Sequence, residues 1–143
     1  MAQTPPCPEL EPHADCALVR NLAASGYRPN LLITCSPGRS EAVAQELNAF
    51  AALPLRSCAL PGELLVPEDR RGTLILNDVA KLTHGQQIAL LEYLNGGGRG
   101  DLQIVSLTDE PIHALVQSGQ FHETLYYLLN VIRLTHVGSP IFR

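Results

Sequence analysis

The feature that most limits what this chain can fold into is a series of short, unbroken apolar runs, separated by segments whose apolar residues recur at helical spacing. Leu31-Leu32-Ile33-Thr34 lies between Pro29-Asn30 and Ser36-Pro37-Gly38, Thr73-Leu74-Ile75-Leu76 follows Gly72, and Leu102-Gln103-Ile104-Val105-Ser106-Leu107 follows a glycine-rich stretch. Runs of this length without polar alternation suit strands covered on both faces. Leu55-Arg56-Ser57-Cys58 gives a weaker strand signal, and Val131 to Leu134 forms a last strand. A helix opening near Ser40 repeats Val43, Ala44, Leu47 and Phe50 and must end before Pro54. Thr83 with Gln86 forms a capping-box signature, after which Ile88, Leu91 and Leu94 line one face of a helix that stops at Asn95-Gly96-Gly97-Gly98. Pro111 starts a short helix, and His122 to Asn130 forms another. Upstream, Asp15 is placed to cap a helix carrying Ala17, Leu18, Leu22 and Ala23, with Gly26 at its end. Such alternation predicts an α/β fold: a parallel, doubly wound sheet with helices on both faces. One unit is expected over residues 15–135, between an irregular, proline-rich lead-in (1–14) and a tail (136–143).

Composition removes several function classes. A formal charge of -4, with Lys and Arg dispersed, leaves no basic stripe to neutralise a phosphate backbone, so no direct nucleic-acid contact is expected. Cys7, Cys16, Cys35 and Cys58 are widely and irregularly spaced, with no histidine at ligand spacing, so no metal site is expected. The start MAQTPPCPELEPHADC lacks the cationic and apolar regions of a signal peptide, which predicts a cytoplasmic protein with free thiols. No apolar run reaches the roughly 18 residues of a membrane span.

Ligands of parallel sheets sit beyond the C-terminal ends of the strands. Three stretches qualify: Cys35 to Glu41, Asn77-Asp78 and Thr108-Asp109.

With those places fixed, a family resemblance becomes visible. The run Arg71-Gly72-Thr73-Leu74-Ile75-Leu76-Asn77-Asp78-Val79 resembles the Walker B segment of sigma-54-dependent transcription activators, and Leu90-Leu91-Glu92-Tyr93-Leu94 is similar to the helix that follows it. Gly119 to Leu134 resembles their arginine-finger helix and last core strand, Leu31 to Ala44 their first strand, phosphate loop and helix, and Ser57 to Pro61 their second strand and its exit. The resemblance covers about residues 15–134 and implies a three-layer, P-loop NTPase-like AAA+ core without its lid.

Every position that would handle ATP departs from what the resemblance implies. A phosphate loop needs G-x-x-x-x-G-K-[ST], so that backbone N–H groups and a lysine surround the phosphates while a hydroxyl holds Mg²⁺. Here Ser36, Gly38, Arg39 and Ser40 stand at the vestigial nucleotide site, Cys35 replaces a glycine, Pro37 has no N–H, the lysine is absent, and Glu41 adds negative charge. An ordinary strand-to-helix turn with a serine cap accounts for the same residues, and a helix N-terminus with Arg39 remains able to hold an anion. Asn77 and Asp78 occupy the Walker B positions of the metal-binding Asp and water-activating Glu, although an adjacent Asn-Asp pair also serves as a turn and helix cap. Thr108 and Asp109 fill the sensor position, and His122 and Leu128 replace the arginines that reach a neighbour's ATP. Only Gly62 to Arg71 separates Pro61 from Gly72, too short for the family's sigma-54-contacting insertion. The chain ends at Arg143, so the helical lid and a DNA-binding helix-turn-helix are expected to be missing.

The resemblance therefore implies a non-hydrolysing regulatory or interaction module of sigma-54-type transcription, without a cofactor or catalytic residues. Its partners would be AAA+ activator subunits or further copies of itself. A weak ATP or ADP switch is the alternative, and a docking domain unconnected with transcription is a third.

Overall fold

A computed structural model describes residues 28–47, 51–96 and 101–135. The expected lead-in, the helix from Asp15, the C-terminal tail, Cys7 and Cys16 lie outside them. The strands are β1 (Leu31–Thr34), β2 (Leu55–Ala59), β3 (Thr73–Asn77), β4 (Gln103–Thr108) and β5 (Ile132–Thr135). They form one parallel sheet in the order β2-β3-β4-β1-β5. The helices are α1 (Ser40–Leu47), α2 (His84–Gly96), α3 (Ile112–Gln117) and α4 (Glu123–Leu129), with a 3-10 turn at Val79–Lys81.

The unbroken apolar runs are explained by cover on both sides of the sheet. Val43 and Leu47 of α1 pack against Leu31, Ile33, Ile75, Val105 and Leu107 on one face. On the other, Leu90 of α2, Ile112 of α3 and Leu125 and Leu129 of α4 pack against Leu32, Leu74, Leu76 and Ile104. Alternate residues of each central strand thus enter two different cores, most of them apolar, with the buried hydroxyls of Thr73 and Ser106 lacking a partner among the described residues. β1 and β4 pair from Leu31 with Val105 to Thr34 with Thr108. β1 leads to α1 on one face and β4 to α3 on the other, which opens a crevice between their C-terminal ends.

Boundaries shift by a residue or so. β2 extends to Ala59, β4 begins at Gln103, α3 begins after Pro111, and β5 begins at Ile132, whose N–H donates to Asn30 O at 3.2 Å and leaves Val131 outside the strand. The capping box forms as expected: Gln86 N–H donates to Thr83 Oγ1 at 3.1 Å, and Thr83 N–H donates to Gln86 Oε1 at 3.0 Å.

The buried face of α2 is not the one that Ile88, Leu91 and Leu94 line. Ile88 is 44% exposed, whereas Leu90 and the polar Gln87 are buried, and Leu91 and Leu94 are only partly covered. The reason is a set of three hydrogen bonds that rotates the helix so that Gln87 points inwards. Its Nε2 donates to Leu82 O and to Gln120 O, both at 3.1 Å, and its Oε1 accepts the His122 N–H at 2.8 Å. An apolar count along the helix does not register an amide that is fully partnered inside.

Candidate functional site

The crevice is built from the turns that leave β1, β3 and β4. The β1–α1 turn begins at Cys35, which is 4% exposed and whose N–H donates to Thr108 O at 2.7 Å, fastening it to the end of β4. Ser36 O accepts the Arg39 N–H at 3.0 Å, closing a tight turn across Pro37 and Gly38. Gly38 has φ +83°, a left-handed conformation that disfavours a β-carbon, although the space around it is open. Glycine is required there for its backbone angle, not for room. Arg39 follows, its Nε buried without a hydrogen-bond partner among the described residues.

The β3 exit supplies Asn77 and Asp78. Asp78 adopts φ 60°, ψ 54°, a left-handed conformation unusual for a residue with a side chain, and stands at the N-cap of the 3-10 turn. Its side chain makes no capping hydrogen bond. Instead Asp78 Oδ1 accepts from the Ser40 hydroxyl at 3.4 Å, so the β1 and β3 turns meet through these two residues. Asn77 Oδ1 is buried without a partner among the described residues. Beside it, a cavity of about 340 Å³ opens between α1, β2 and β3, bordered by Glu41, Gln45, Arg56 and Ser57. The turn-and-cap reading of Asn77-Asp78 thus holds for the backbone, while the Asp78 carboxylate faces the crevice.

The β4 exit is self-contained. Thr108 is 1% exposed, and its hydroxyl both donates to Glu110 O at 2.9 Å and accepts the Glu110 N–H at 3.0 Å. Asp109 projects from this turn and is exposed. These charges register at Cys35. Burial pushes its thiol up to about 11, opposed by a hydrogen bond with Ser40 and by Arg39, and reinforced by the negative charges of Asp109 and Asp78. Cys35 therefore reports that Ser40, Asp109, Arg39 and Asp78 converge on one place.

His122 and Leu128 do not join this group. His122 is the N-cap residue of α4, its side chain makes no capping hydrogen bond, and its N–H is held by Gln87 of α2. His122 Nδ1 is buried without a partner among the described residues. Leu128 is half-buried, and its carbonyl accepts from Asn30 Nδ2 at 3.0 Å.

The short connection before β3 is closely tied down. Arg56 makes a bidentate pair with Asp69, at 3.2 and 3.0 Å, which holds the Asp69 carboxyl below the usual range. The Arg70 guanidinium lies 3.8 Å from the Tyr93 ring centroid and donates to Tyr93 O at 2.6 Å. Tyr93 Oη donates to Pro67 O, and Leu65 N–H donates to the buried Cys58 Sγ at 3.3 Å. Gly62 to Arg71 is a strap against α2 and the sheet edge.

Sequence reasoning did not single out Gln87 or Asn30. Asn30 Oδ1 accepts the Ile104 N–H at 2.8 Å, so one side chain joins the start of β1 to β4 and to the end of α4. Its signal was an asparagine next to a proline at a strand entrance, which read as a boundary and nothing more.

The family signature of the Sigma-54 interaction domain matches residues 23–137 of this chain. The chain belongs to the sigma-54 interaction domain family. This domain is 25% identical over 122 residues to the HTH-type transcriptional regulatory protein TyrR of Enterobacter agglomerans, a match covering 78% of this chain and 23% of TyrR. It is 31% identical over 105 residues to the DNA-binding transcriptional regulator NtrC of Rhizobium meliloti, covering 66% of this chain and 21% of NtrC. It spans roughly a quarter or less of the length of these curated relatives. Among solved structures, NtrX from Brucella abortus, crystallised with ATP, superposes with a TM-score of 0.66 at 20% identity, covering 87% of this chain and 36% of that one. The P-loop NTPase domain of a sigma-54 transport activator from E. coli gives 0.51 at 16% identity, covering 82% and 98%. At these identities the superpositions establish the fold: the sheet and helices of the domain are those of a P-loop NTPase. Among the described residues no group of His, Cys, Asp and Glu is arranged to hold a metal ion, and no helix is long and apolar enough to cross a membrane.

Proposed function

We propose that this sigma-54 interaction domain does not hydrolyse ATP and acts through protein contacts, docking on active AAA+ activator subunits or on copies of itself. One observation carries the reading: in the β1–α1 turn two backbone N–H groups are already engaged and a third is missing. A phosphate loop works by leaving backbone N–H groups free to surround an anion. In this turn Cys35 N–H is committed to Thr108 O, Arg39 N–H to Ser36 O, and Pro37 has none. The Ser40 hydroxyl, at the position that would hold magnesium, is engaged by Asp78. Asp78 and Asp109 add negative charge where a polyphosphate would rest, and no lysine opposes them. These residues do not fit magnesium-ATP. The strap from Gly62 to Arg71 holds no insertion, so contact with sigma-54 through that loop is not part of the proposal.

Two assays test it. Isothermal titration with magnesium-ATP and with ADP should show no binding tighter than about 100 μM, roughly -5.5 kcal/mol. Adding the domain to an active sigma-54 activator should change that activator's ATPase rate. Tight nucleotide binding, or an unchanged ATPase rate with no co-purification, sinks the proposal.

A second reading has its own support. Gly38 leaves open space above the turn and the Arg39 Nε has no partner, which together favour a weakly held anion. NtrX binds ADP and ATP in its crystals, and the same titration decides whether a residual nucleotide switch persists in this domain.

A further inference from the structure

On the face of the sheet opposite α1, a cavity of about 190 Å³ lies between β1, the edge strand β5, α3 and α4. It shares no residue with the crevice turns of β1, β3 and β4 described above. Its floor is apolar, formed by Leu32 at 3% exposure and Ile112 at 4%. Its polar groups are of one kind: the Arg133 guanidinium, the Tyr126 phenol, the His113 imidazole and the Thr34 hydroxyl, with no carboxylate among the residues that line it. The register that sets Arg133 beside Leu32 explains this, because it turns the arginine towards the α3–α4 side of β5 and not into the core beneath α1.

The polar groups are under-used. Arg133 forms no ion pair among the described residues; the pair recorded there is Arg56 with Asp69. It donates to the Tyr126 hydroxyl at 3.5 Å, the outer limit of a hydrogen bond, and among the described residues the phenol donates to no acceptor. Tyr126 is 4% exposed, and its ring leans on His113 with centroids 6.1 Å apart, so the phenol is held in place without being satisfied. A planar guanidinium beside a hydroxyl donor matches a carboxylate, which accepts from both. A cavity of roughly 150 Å³ holds a benzene ring, so this one has room for a ring or branched chain with a small head group.

We propose that this cavity binds a small organic monocarboxylate with an apolar body, the carboxylate held by Arg133 and Tyr126 and the body resting on Leu32 and Ile112. The site is independent of whether the crevice binds nucleotide. The test is an amide-resolved NMR titration of the full chain with benzoate, cyclohexanecarboxylate and the neutral benzamide. Both acids should give saturable shifts at residues around Thr34, His113, Tyr126 and Arg133, with a dissociation constant of about 1 mM or tighter. Benzamide should bind at least about tenfold more weakly, since it lacks the charge that the arginine recognises. Arg133→Gln should weaken benzoate by about tenfold or more and Arg133→Lys by less, while Tyr126→Phe, which keeps the ring, should weaken it severalfold. Arg133 is an exposed edge-strand residue, and unchanged spectra of its variants establish that the fold is kept. No saturation by about 20 mM benzoate, equal binding of benzamide, or benzoate binding indifferent to Arg133→Gln overturns the proposal.

Discussion

Replacing Gln87 by alanine should be the most informative stability change in this domain. Gln87 is 2% exposed, and its amide makes three hydrogen bonds, to Leu82 O, to Gln120 O and from His122 N–H. Truncation removes all three and leaves a cavity between α2 and α4. A buried group deprived of its partner costs about 1–3 kcal/mol. Gln120 is exposed and His122 is half-buried, so water reaches part of what is orphaned, and Leu82 O bears the full loss. Adding the lost packing, we expect about 3 kcal/mol of destabilisation. With an m-value of about 1–3 kcal/mol/M, the urea midpoint followed by circular dichroism should fall by about 1–3 M. Two companions separate the causes. Gln87→Met refills the volume without hydrogen bonds and should recover only the packing part. Gln87→Glu keeps the acceptor for His122 but turns a carboxylate towards two carbonyls, and should be at least as damaging as alanine at neutral pH. A Gln87→Ala loss under about 0.5 kcal/mol, or complete rescue by methionine, would refute the idea that hydrogen bonding sets the rotation of α2.

Three further outcomes follow from other sites. Gly72 has φ +85°, and a β-carbon there would lie 2.1 Å from Pro54 O, so Gly72→Ala should cost about 3 kcal/mol or more and yield little soluble protein on expression. The Cys35 thiol is raised to about 11 in the folded chain against 9.0 in the unfolded one, so it favours the native state below pH 9. That contribution should fade as pH climbs from 9 to 11, a dependence that Cys35→Ala removes in thermal melts, and thiol labelling at pH 8 should be slow until denaturant is added. Thr83→Ala removes the hydroxyl that accepts the Gln86 N–H, leaves the reciprocal backbone contact to Gln86 Oε1 in place, and should lower stability by about 1 kcal/mol in chemical denaturation, with Thr83→Ser close to wild type.

The parts of the fold that could be read in advance are those where one residue type has one physical use. Leu31 to Thr34 and Thr73 to Leu76 are strands because an unbroken apolar run of that length must be covered on both faces, and the two cores supply the cover. Thr83 and Gln86 cap α2 because their spacing lets each side chain reach the other's backbone. Reading failed where a polar side chain is fully satisfied by distant backbone. Gln87 reaches 33 residues along the chain to Gln120, and Asn30 reaches 98 residues to Leu128, and neither separation leaves a periodic trace. At the crevice, residue identities revealed the missing lysine and the added acids, but not that Ser40 and Asp78 would meet, nor that Asp78 would sit in a left-handed conformation.

That pairing bears on what the crevice is for. In a phosphate loop the turn residues stay unsatisfied so that a ligand completes them, and the empty site carries the cost of keeping them so. Here the completion is internal: Thr108 O takes the Cys35 N–H, Ser36 O takes that of Arg39, and Asp78 takes the Ser40 hydroxyl. The same logic runs through the strap, where Asp69, Tyr93 and Gly62 secure residues that would otherwise be free to meet a partner. A turn whose groups are largely engaged has less to gain from nucleotide, since a phosphate that took the Cys35 N–H, the Arg39 N–H or the Ser40 hydroxyl would first break an existing bond. Restoring one residue, such as lysine in place of Arg39, would leave Asp78 and Asp109 opposing the same phosphates. The polar groups that remain unsatisfied among the described residues include Arg39 Nε, Asn77 Oδ1 and His122 Nδ1, and they belong to three different elements. A single triphosphate does not explain that scatter. The functional reading rests instead on the engaged groups of the β1–α1 turn and the acids added beside it.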